Sequence, residues 1–181
     1  MRQTSFADMA CSMARSLELI GDWWTPLIIR DLQLGVDRFD LLADDLGISR
    51  NLLAARLAHL VQHEIVARRR YSDHPPRYRY VLTDAGRALV PVLLALTAWG
   101  DRWAAIDEGP PLVFRHKTCG STFTPTVVCD ACGEPVRSGD IAAIPGPGAR
   151  TGPGTAVMAT MVGNRRREDS ARREAATGGP G

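Results

Sequence analysis

The sequence predicts a mainly α fold of the α+β class, in which packed helices surround one two-stranded hairpin and a small β ribbon follows. Three observations predict it. Apolar residues recur at helical spacing up to about residue 62, between capping residues and glycines. The spacing then alternates between residues 65 and 82, and it becomes helical again after Thr83. The 181 residues, 45% of them apolar, suffice for one full domain and a small appendage.

The first four predicted elements are helices joined by short turns. The first has one apolar face, formed by Met13, Leu17 and Ile20. We expect the next three to begin after residues whose side chains can accept the free N–H groups of a first turn, namely Asp22, Asp37 and Ser49. The second and third should end at Gly35 and Gly47. The fourth would bury its leucines, Leu53, Leu57 and Leu60.

A hairpin and a long helix follow. The alternation predicts strands at 65–71 and 77–82, joined by a turn at His74-Pro75-Pro76. Thr83 should cap the long helix, which reaches past Trp103 and which Pro91 should kink. Its apolar residues are Leu89, Leu93, Leu96 and Trp99. This is more apolar surface than one small domain can cover, so the helix indicates a dimer.

The third and fourth helices have the spacing of a helix-turn-helix, with Gly47-Ile48-Ser49 as the turn. The outer face of the second helix would carry small and polar residues, with two arginines on its flanks. Arginine and asparagine bind base edges, and alanine lets the backbone approach the groove closely. The candidate DNA-contacting residues here are Ser49, Arg50, Asn51, Ala55 and Arg56. An ordinary helical hairpin with a polar outer face would show the same pattern.

The hairpin after this helix pair is rich in arginine. A hairpin in this position is a wing, and its guanidinium groups could bind DNA phosphates. The candidates are Arg68, Arg70, Arg77 and Arg79, with Arg69 among them in sequence. A solvated charged hairpin is the alternative. Together with the helix pair, the wing predicts a winged helix-turn-helix that binds duplex DNA.

Several stretches together make the sequence resemble the HxlR-type family of winged helix-turn-helix regulators, from about Cys11 to Trp103. They include Leu17 to Thr25, Leu27 to Leu32, Arg38-Phe39, Gly47-Ile48-Ser49, Pro75 to Tyr80, Leu82-Thr83 and Gly86. The resemblance implies a homodimer whose interface is formed by the first and last helices. It also implies that two recognition helices meet a roughly palindromic operator and that nearby genes are regulated. We expect repression.

Two similar turns follow at His116-Lys117-Thr118-Cys119-Gly120 and Cys129-Asp130-Ala131-Cys132-Gly133. Each places two ligand types three positions apart before a glycine, which frees backbone N–H groups to point at thiolate sulfur. A structural zinc site of His116, Cys119, Cys129 and Cys132 is therefore expected. A metal-free ribbon with reduced thiols and a Cys129–Cys132 redox pair are the alternatives.

The fourth cysteine, Cys11, stands at the start of the first helix. The resemblance places here a cysteine that senses oxidants or electrophiles in some family members. A small buried residue at the dimer interface is the alternative. The winged domain holds no obvious second cysteine that could resolve an oxidised Cys11. His59 and His63 are expected to be ordinary residues on the helix surface.

The composition suggests three regions. They are a winged helix-turn-helix domain at 1–108, a zinc-ribbon-like module at 110–144 (the ribbon) and a disordered Gly/Pro/Arg tail at 145–181. We find no apolar run long enough to span a membrane and no secretory signal, so a cytoplasmic protein with reduced or metal-bound thiols is expected.

No nucleophile elbow, phosphate loop or paired-carboxylate motif is found, and we expect no enzyme. A protein-interaction module of the transcription machinery is the second hypothesis, and a small metalloenzyme built on the Cys/His residues is the third. The sequence identifies neither an operator nor an effector.

Overall fold

The computed structural model describes residues 5–104, 107–158 and 160–162. Within these residues, the helices are α1 Ser12–Ile20, α2 Thr25–Leu34, α3 Phe39–Leu46, α4 Arg50–Gln62 and α5 Asp84–Trp103. The strands are β1 Val66–Asp73, β2 Pro76–Leu82, β3 Phe114–Arg115 and β4 Thr122–Phe123. A short 3₁₀ turn follows at Ser138–Asp140. Residues 156–158 and 160–162 are also helical. Helices thus dominate, around one two-stranded antiparallel wing, and the predicted fold class is confirmed.

The chain divides into two compact units. One comprises residues 21–136, with helices α2 to α5 and all four strands. The other comprises the first twenty residues, with α1, and the residues from 137 onward. The domain boundaries predicted at 108 and 144 stay a prediction.

The core of the unit at 21–136 is formed by one face of each of its first three helices and by the base of the wing. The side chains of Ile28, Ile29, Leu42, Leu53, Leu57, Leu60 and Val66 are at most 1% exposed. Burying each such side chain contributes roughly 1.5–3 kcal/mol. The predicted leucine face of α4 is therefore confirmed, and its burial determines which face of α4 remains in solvent.

Two of the four predicted helix caps are confirmed: the Ser49 hydroxyl accepts the N–H of Leu52 at 3.3 Å, and the Thr83 hydroxyl accepts the N–H of Gly86 at 3.2 Å. The N-cap residue of α2 is Trp24, and the predicted cap Asp22 lies two positions before it. The Asp22 carboxylate still accepts the N–H groups of Trp24 and Thr25, at 2.9 and 3.1 Å. The left-handed glycines Gly35 (φ 97°) and Gly47 (φ 61°) end α2 and α3, as predicted. A φ in this range favours glycine, because a side chain would strain the backbone.

The fourth predicted cap, Asp37, is wrong. Arg38 is the N-cap residue of α3, and no side chain bonds to its first turn. Asp37 does not cap α3 because residues 37 and 38 pair with β2 of the wing. The backbone carbonyl of Asp37 accepts the N–H of Tyr80 at 2.8 Å, and Arg38 forms a β-bridge with Arg79. Residues 37 and 38 are thus held extended against the edge of β2, a pairing between distant residues that the local pattern did not indicate.

The base of the wing is joined to both neighbouring helices at Ile65. Its N–H donates to the carbonyl of Leu60 in α4 at 2.9 Å. Its carbonyl accepts the N–H of Thr83 at 3.1 Å and the Thr83 hydroxyl at 3.0 Å. Gly86 of α5 lies so close to this carbonyl that a Cβ atom there would overlap with the oxygen. The end of α4 and the start of α5 therefore meet at one residue, Ile65.

The predicted disordered tail is described only as far as residue 162. Within it, Thr155 is buried, and its hydroxyl donates to the carbonyl of Arg150 at 3.0 Å. Residues 163–181 lie outside the described residues, so the disorder expected for them stays a prediction.

Candidate nucleic-acid interface

The exposed face of α4 carries the residue types expected of a recognition helix. Because the leucines face the core, the side chains left in solvent are small or polar: Arg50, Asn51, Ala54, Ala55, Ala58 and Gln62. Ile48, in the turn before α4, is 5% exposed and fills the space beside the helix pair. The geometry presents an uninterrupted face of low profile, which suits entry into a major groove.

Two polar residues at the start of α4 are already engaged within the protein. The Ser49 hydroxyl caps the helix, so its oxygen accepts the Leu52 N–H. The Arg50 guanidinium lies 2.8 Å from the carboxylate of Asp40 on α3 and 5.8 Å from the ring centroid of Phe39. Both contacts hold Arg50 at the exposed edge of the helix pair, where it remains open to a phosphate or a base.

Arg56 was predicted to contact a base, but its guanidinium group lies beside Asp22. The side chain is 31% exposed, and its Nε lies 3.3 Å from Oδ1 of Asp22. Nε is buried and has no hydrogen bond of good geometry among the described residues, so the contact with Asp22 is one of charge. Since Asp22 also accepts the N–H groups of Trp24 and Thr25, Arg56 ties α4 to the beginning of α2. This structural role was not indicated by the sequence, and a role of Arg56 on DNA stays a prediction.

The wing is an antiparallel hairpin whose register fixes the position of its five arginines. Arg68 pairs with Tyr80, Arg69 with Arg79 and Arg70 with Tyr78, and a bulge follows between Arg70 and Ser72. Because side chains alternate across a strand, Arg68 and Arg70 lie on one face and Arg69 and Arg79 on the other. Arginine is thus presented on both faces of the wing.

Two of these arginines stabilise the wing itself. The Arg68 guanidinium stacks over the ring of Tyr78, 3.5 Å from its centroid. Arg70 folds back over the tip: it donates to the carbonyls of Ser72 at 3.2 Å and Asp73 at 3.0 Å, and it lies 3.1 Å from the Asp73 carboxylate. Neither contact was predicted, because each depends on the register of the hairpin.

The opposite face of the wing carries less compensated positive charge. Arg79 lies 3.8 Å from the Asp37 carboxylate and 5.4 Å from the ring centroid of Tyr71. The side chains of Arg69, directly across from Arg79, and of Arg77 make no ion pair or hydrogen bond within the part of the chain that the structure describes. Like charges opposite each other on a sheet repel, so an anion placed between them would be favoured.

The sequence-predicted metal ligands form two separate pairs. Sγ of Cys119 lies 3.4 Å from Nδ1 of His116, and Cys129 and Cys132 belong to the second turn. Among the residues described, no three candidate ligands form one group that could hold a metal. Backbone N–H groups lower the pKa of two thiols: the N–H of Ser121 acts on Cys119, and those of Cys132 and Ala131 act on Cys129.

Cys11 lies immediately before α1, half-buried, and its carbonyl accepts the N–H of Arg15 at 3.1 Å. It belongs to the unit that contains α1 and the residues from 137 onward. Both hypotheses for it, an oxidant sensor and an interface residue, stay predictions.

A helix-turn-helix followed by an arginine-rich two-stranded hairpin defines the winged helix-turn-helix class of DNA-binding proteins. The HxlR-like helix-turn-helix family matches residues 19–108. An HTH-type transcriptional regulator of Mycobacterium tuberculosis is 44% identical over 137 residues, which are 76% of this chain and 87% of that protein. The HTH-type transcriptional regulator YodB of Bacillus subtilis is 36% identical over 96 residues, covering 52% of this chain and 86% of YodB.

Solved structures agree with this family. The crystal structure of one candidate transcription factor superposes with a TM-score of 0.68 at 33% identity, covering 77% of this chain and 98% of that one. A second, from Pseudomonas aeruginosa, gives 0.54 at 36% identity, with coverages of 77% and 95%. The chain belongs to the HxlR-like helix-turn-helix family, and it is a transcriptional regulator of the winged-helix type. None of the helices described has the length and apolar character needed to cross a bilayer.

Proposed function

We propose that the protein is a sequence-specific DNA-binding repressor that acts as a homodimer on a palindromic operator. The observation that carries the proposal is the surface formed by the exposed face of α4 and the wing. Small and amide side chains lie on the first, and incompletely neutralised arginines lie on the second. The two together combine base contacts with phosphate contacts, which specific duplex binding requires.

Base contacts are assigned to the N-terminal half of α4. Asn51 is exposed at the second position of the helix, and an asparagine amide can bind N6 and N7 of adenine through two hydrogen bonds. Ala55 lies one turn further along the same face, where its methyl group can contact a thymine methyl. Arg50, already positioned by Asp40, can reach either a guanine or the adjoining phosphate.

Phosphate contacts are assigned to the wing. Arg69 and Arg77 are exposed and carry no compensating carboxylate among the described residues, so their full charge faces solvent. Each contact with a phosphate releases condensed counterions from the duplex, which makes binding depend strongly on salt. Arg68 and Arg70 contribute less directly, because their guanidinium groups hold the wing in shape.

The homodimer is supported by an apolar stripe along α5. Val92, Leu96, Trp99 and Trp103 follow one another at the spacing of a helix face, and each is between 57 and 66% exposed. A stripe of this size is unfavourable in water and matches the two-sided packing of helices in a symmetric dimer. Two-fold symmetry would place two copies of α4 on successive major grooves, so the operator should be palindromic.

Selection of random duplexes by the purified full-length protein tests the proposal. We expect enrichment of a palindrome whose half-sites lie about one helical turn apart. Asn51→Ala should then reduce affinity for the selected duplex more than for a scrambled duplex, by a discrimination of about 1–3 kcal/mol. Gln62→Ala is the matched control, because Gln62 lies at the far end of the same helix.

Two outcomes would contradict the proposal. Equal loss on both duplexes in Asn51→Ala would remove α4 from sequence recognition. Little affinity for any duplex, even at low salt, would instead favour the protein-interaction module. Repression itself is tested by placing the selected operator over a promoter and measuring transcription with and without the protein.

A further inference from the structure

Two turns after α5 share one backbone geometry, although their sequences differ. We call them the two ligand turns, His116–Ser121 and Cys129–Glu134. In each, the first residue donates its N–H to the carbonyl of the last, at 2.8 Å in the first turn and 2.9 Å in the second. In each, the glycine in the fifth position donates to the carbonyl of the first residue at 2.8 Å. The two glycines have φ values of 74° and 76°.

This shared geometry points backbone N–H groups at a cysteine sulfur within each turn. The left-handed glycine folds the chain back, so that backbone N–H groups of Ser121 and Ala131 approach the sulfurs of Cys119 and Cys129. Backbone donors of this kind orient metal-bound thiolates. The 3.4 Å between Sγ of Cys119 and Nδ1 of His116 also fits a shared ion. Zinc bonds of about 2.3 Å to sulfur and 2.0 Å to nitrogen, at a tetrahedral angle, separate the two atoms by about 3.5 Å.

The segment that contains these turns has almost no core of its own. No described residue between 110 and 136 is buried, and Val113, Val127 and Val128 are more than half exposed. Its two strands are two residues long each. Strands this short do not hold a fold together in water without a further cross-link. Two turns of the same backbone geometry in such a segment therefore need an explanation beyond backbone pairing.

We propose that His116, Cys119, Cys129 and Cys132 together bind one structural zinc ion. The two ligand turns are two preformed halves of this site. Residues 124–126 between them belong to no strand, and a bend there would bring the halves together. On binding, the three thiols release their protons and the imidazole binds as the neutral ring, so four protein ligands close the coordination shell.

Because this segment lies against the end of α5, zinc binding would also affect that helix. Phe114 and Phe123, on the paired strands β3 and β4, line a groove together with Ala98 and Arg102 of α5. A metal that cross-links the segment would therefore brace the end of this helix. The similarity to the mycobacterial regulator covers more residues than the winged domain contains, so the relatives share at least part of this segment.

Metal content of the full-length protein tests the proposal, after expression in zinc-supplemented medium. We expect about one zinc per chain by elemental analysis. X-ray absorption should show three sulfur ligands at about 2.3 Å and one nitrogen at about 2.0 Å. One ligand is removed from each turn in Cys119→Ser and Cys132→Ser, and both variants should lose most of the zinc. Cys11→Ser is the matched control, because it removes a thiol outside the two turns and should retain the metal.

Three outcomes would overturn the proposal. They are protein that stays free of zinc when the ion is supplied, zinc retained at full content in both ligand variants, and a Cys129–Cys132 disulfide in freshly purified protein. Circular dichroism of each variant verifies that α2 to α5 remain folded, so that loss of metal is not mistaken for general unfolding. The metal content is measured without DNA, and its result is therefore independent of the proposed repressor function.

Discussion

Arg77 offers a direct test of how the wing binds DNA. Its guanidinium makes no ion pair or hydrogen bond in the part of the chain that the structure describes, whereas Arg70 is bound to the carbonyls and carboxylate at the wing tip. Arg77→Ala should therefore remove a phosphate contact and leave the protein folded. Arg70→Ala should loosen the tip as well, so its effect on affinity has a structural component.

The expected size follows from counterion release. Each phosphate contact contributes about 0.9 to the slope of log affinity against log salt. A dimer carries two copies of Arg77, so the slope should flatten by roughly 1.8. When salt rises from about 50 to about 200 mM, the factor by which the wild type loses affinity should be roughly 12 times the factor for the variant.

Fluorescence anisotropy with the selected duplex and a scrambled duplex, at five or more salt concentrations, measures these slopes. Both duplexes should show the same flattening, because phosphates carry no sequence information. Arg77→Lys is the matched control: it keeps the charge and should keep the slope. If Arg77→Ala leaves the slope unchanged on both duplexes, the wing does not contact phosphate through this residue, and the assignment of the wing is wrong.

Three further predictions concern the fold. Gly86→Ala should lower the free energy of unfolding by about 1–3 kcal/mol, because its methyl group would overlap with the Ile65 carbonyl; Gly100→Ala, with open space around it in the same helix, should instead be neutral or stabilising in urea titrations, and equal effects would contradict the close approach. Burial raises the pKa of Asp31 above its ordinary value although Arg30 lowers it in part. The Asp31 carboxyl group therefore binds its proton more tightly in the folded than in the unfolded protein. The stability that this group contributes is present below its unfolded pKa and is lost as pH rises through its folded pKa. The wild type should accordingly lose more stability than Asp31→Asn between pH 4 and 7, and parallel pH profiles would refute this. Arg56→Ala should lower the free energy of unfolding by about 1 kcal/mol, because Asp22 loses its charge partner; unchanged unfolding combined with loss of specific DNA binding would show that Arg56 serves the DNA instead.

The periodicity and the turn chemistry of the sequence were enough to predict the order of elements and the buried face of α4. Both depend on neighbours within a few positions. Strand bounds were less accurate: β1 begins at Val66 and extends to Asp73, because the N–H of Ile65 still bonds to the last turn of α4. An apolar face on α5 was predicted, and two of its predicted residues, Leu96 and Trp99, belong to the exposed stripe.

Contacts between residues far apart in sequence could not be predicted. Arg56 of α4 meets Asp22, which precedes α2, and Arg79 of the wing meets Asp37, which precedes α3. An exposed arginine and a paired arginine have the same pattern in a sequence, since long side chains reach partners that only the fold brings near. The sequence showed only that Asp22 and Asp37 precede helices. This position indicated that they cap helices, and it gave no sign that each also pairs with an arginine.

The junction at Ile65 has a mechanical consequence. Ile65, at the base of the wing, bonds through its N–H to the end of α4 and through its carbonyl to Thr83 at the start of α5, so a rotation of α5 would act on α4 and on the wing through these bonds. In the proposed homodimer, the distance between the two α4 helices, and with it the spacing of operator half-sites, would therefore depend on the crossing angle of the two α5 helices. A signal that changes this angle by a few degrees could release DNA without altering any residue that contacts it.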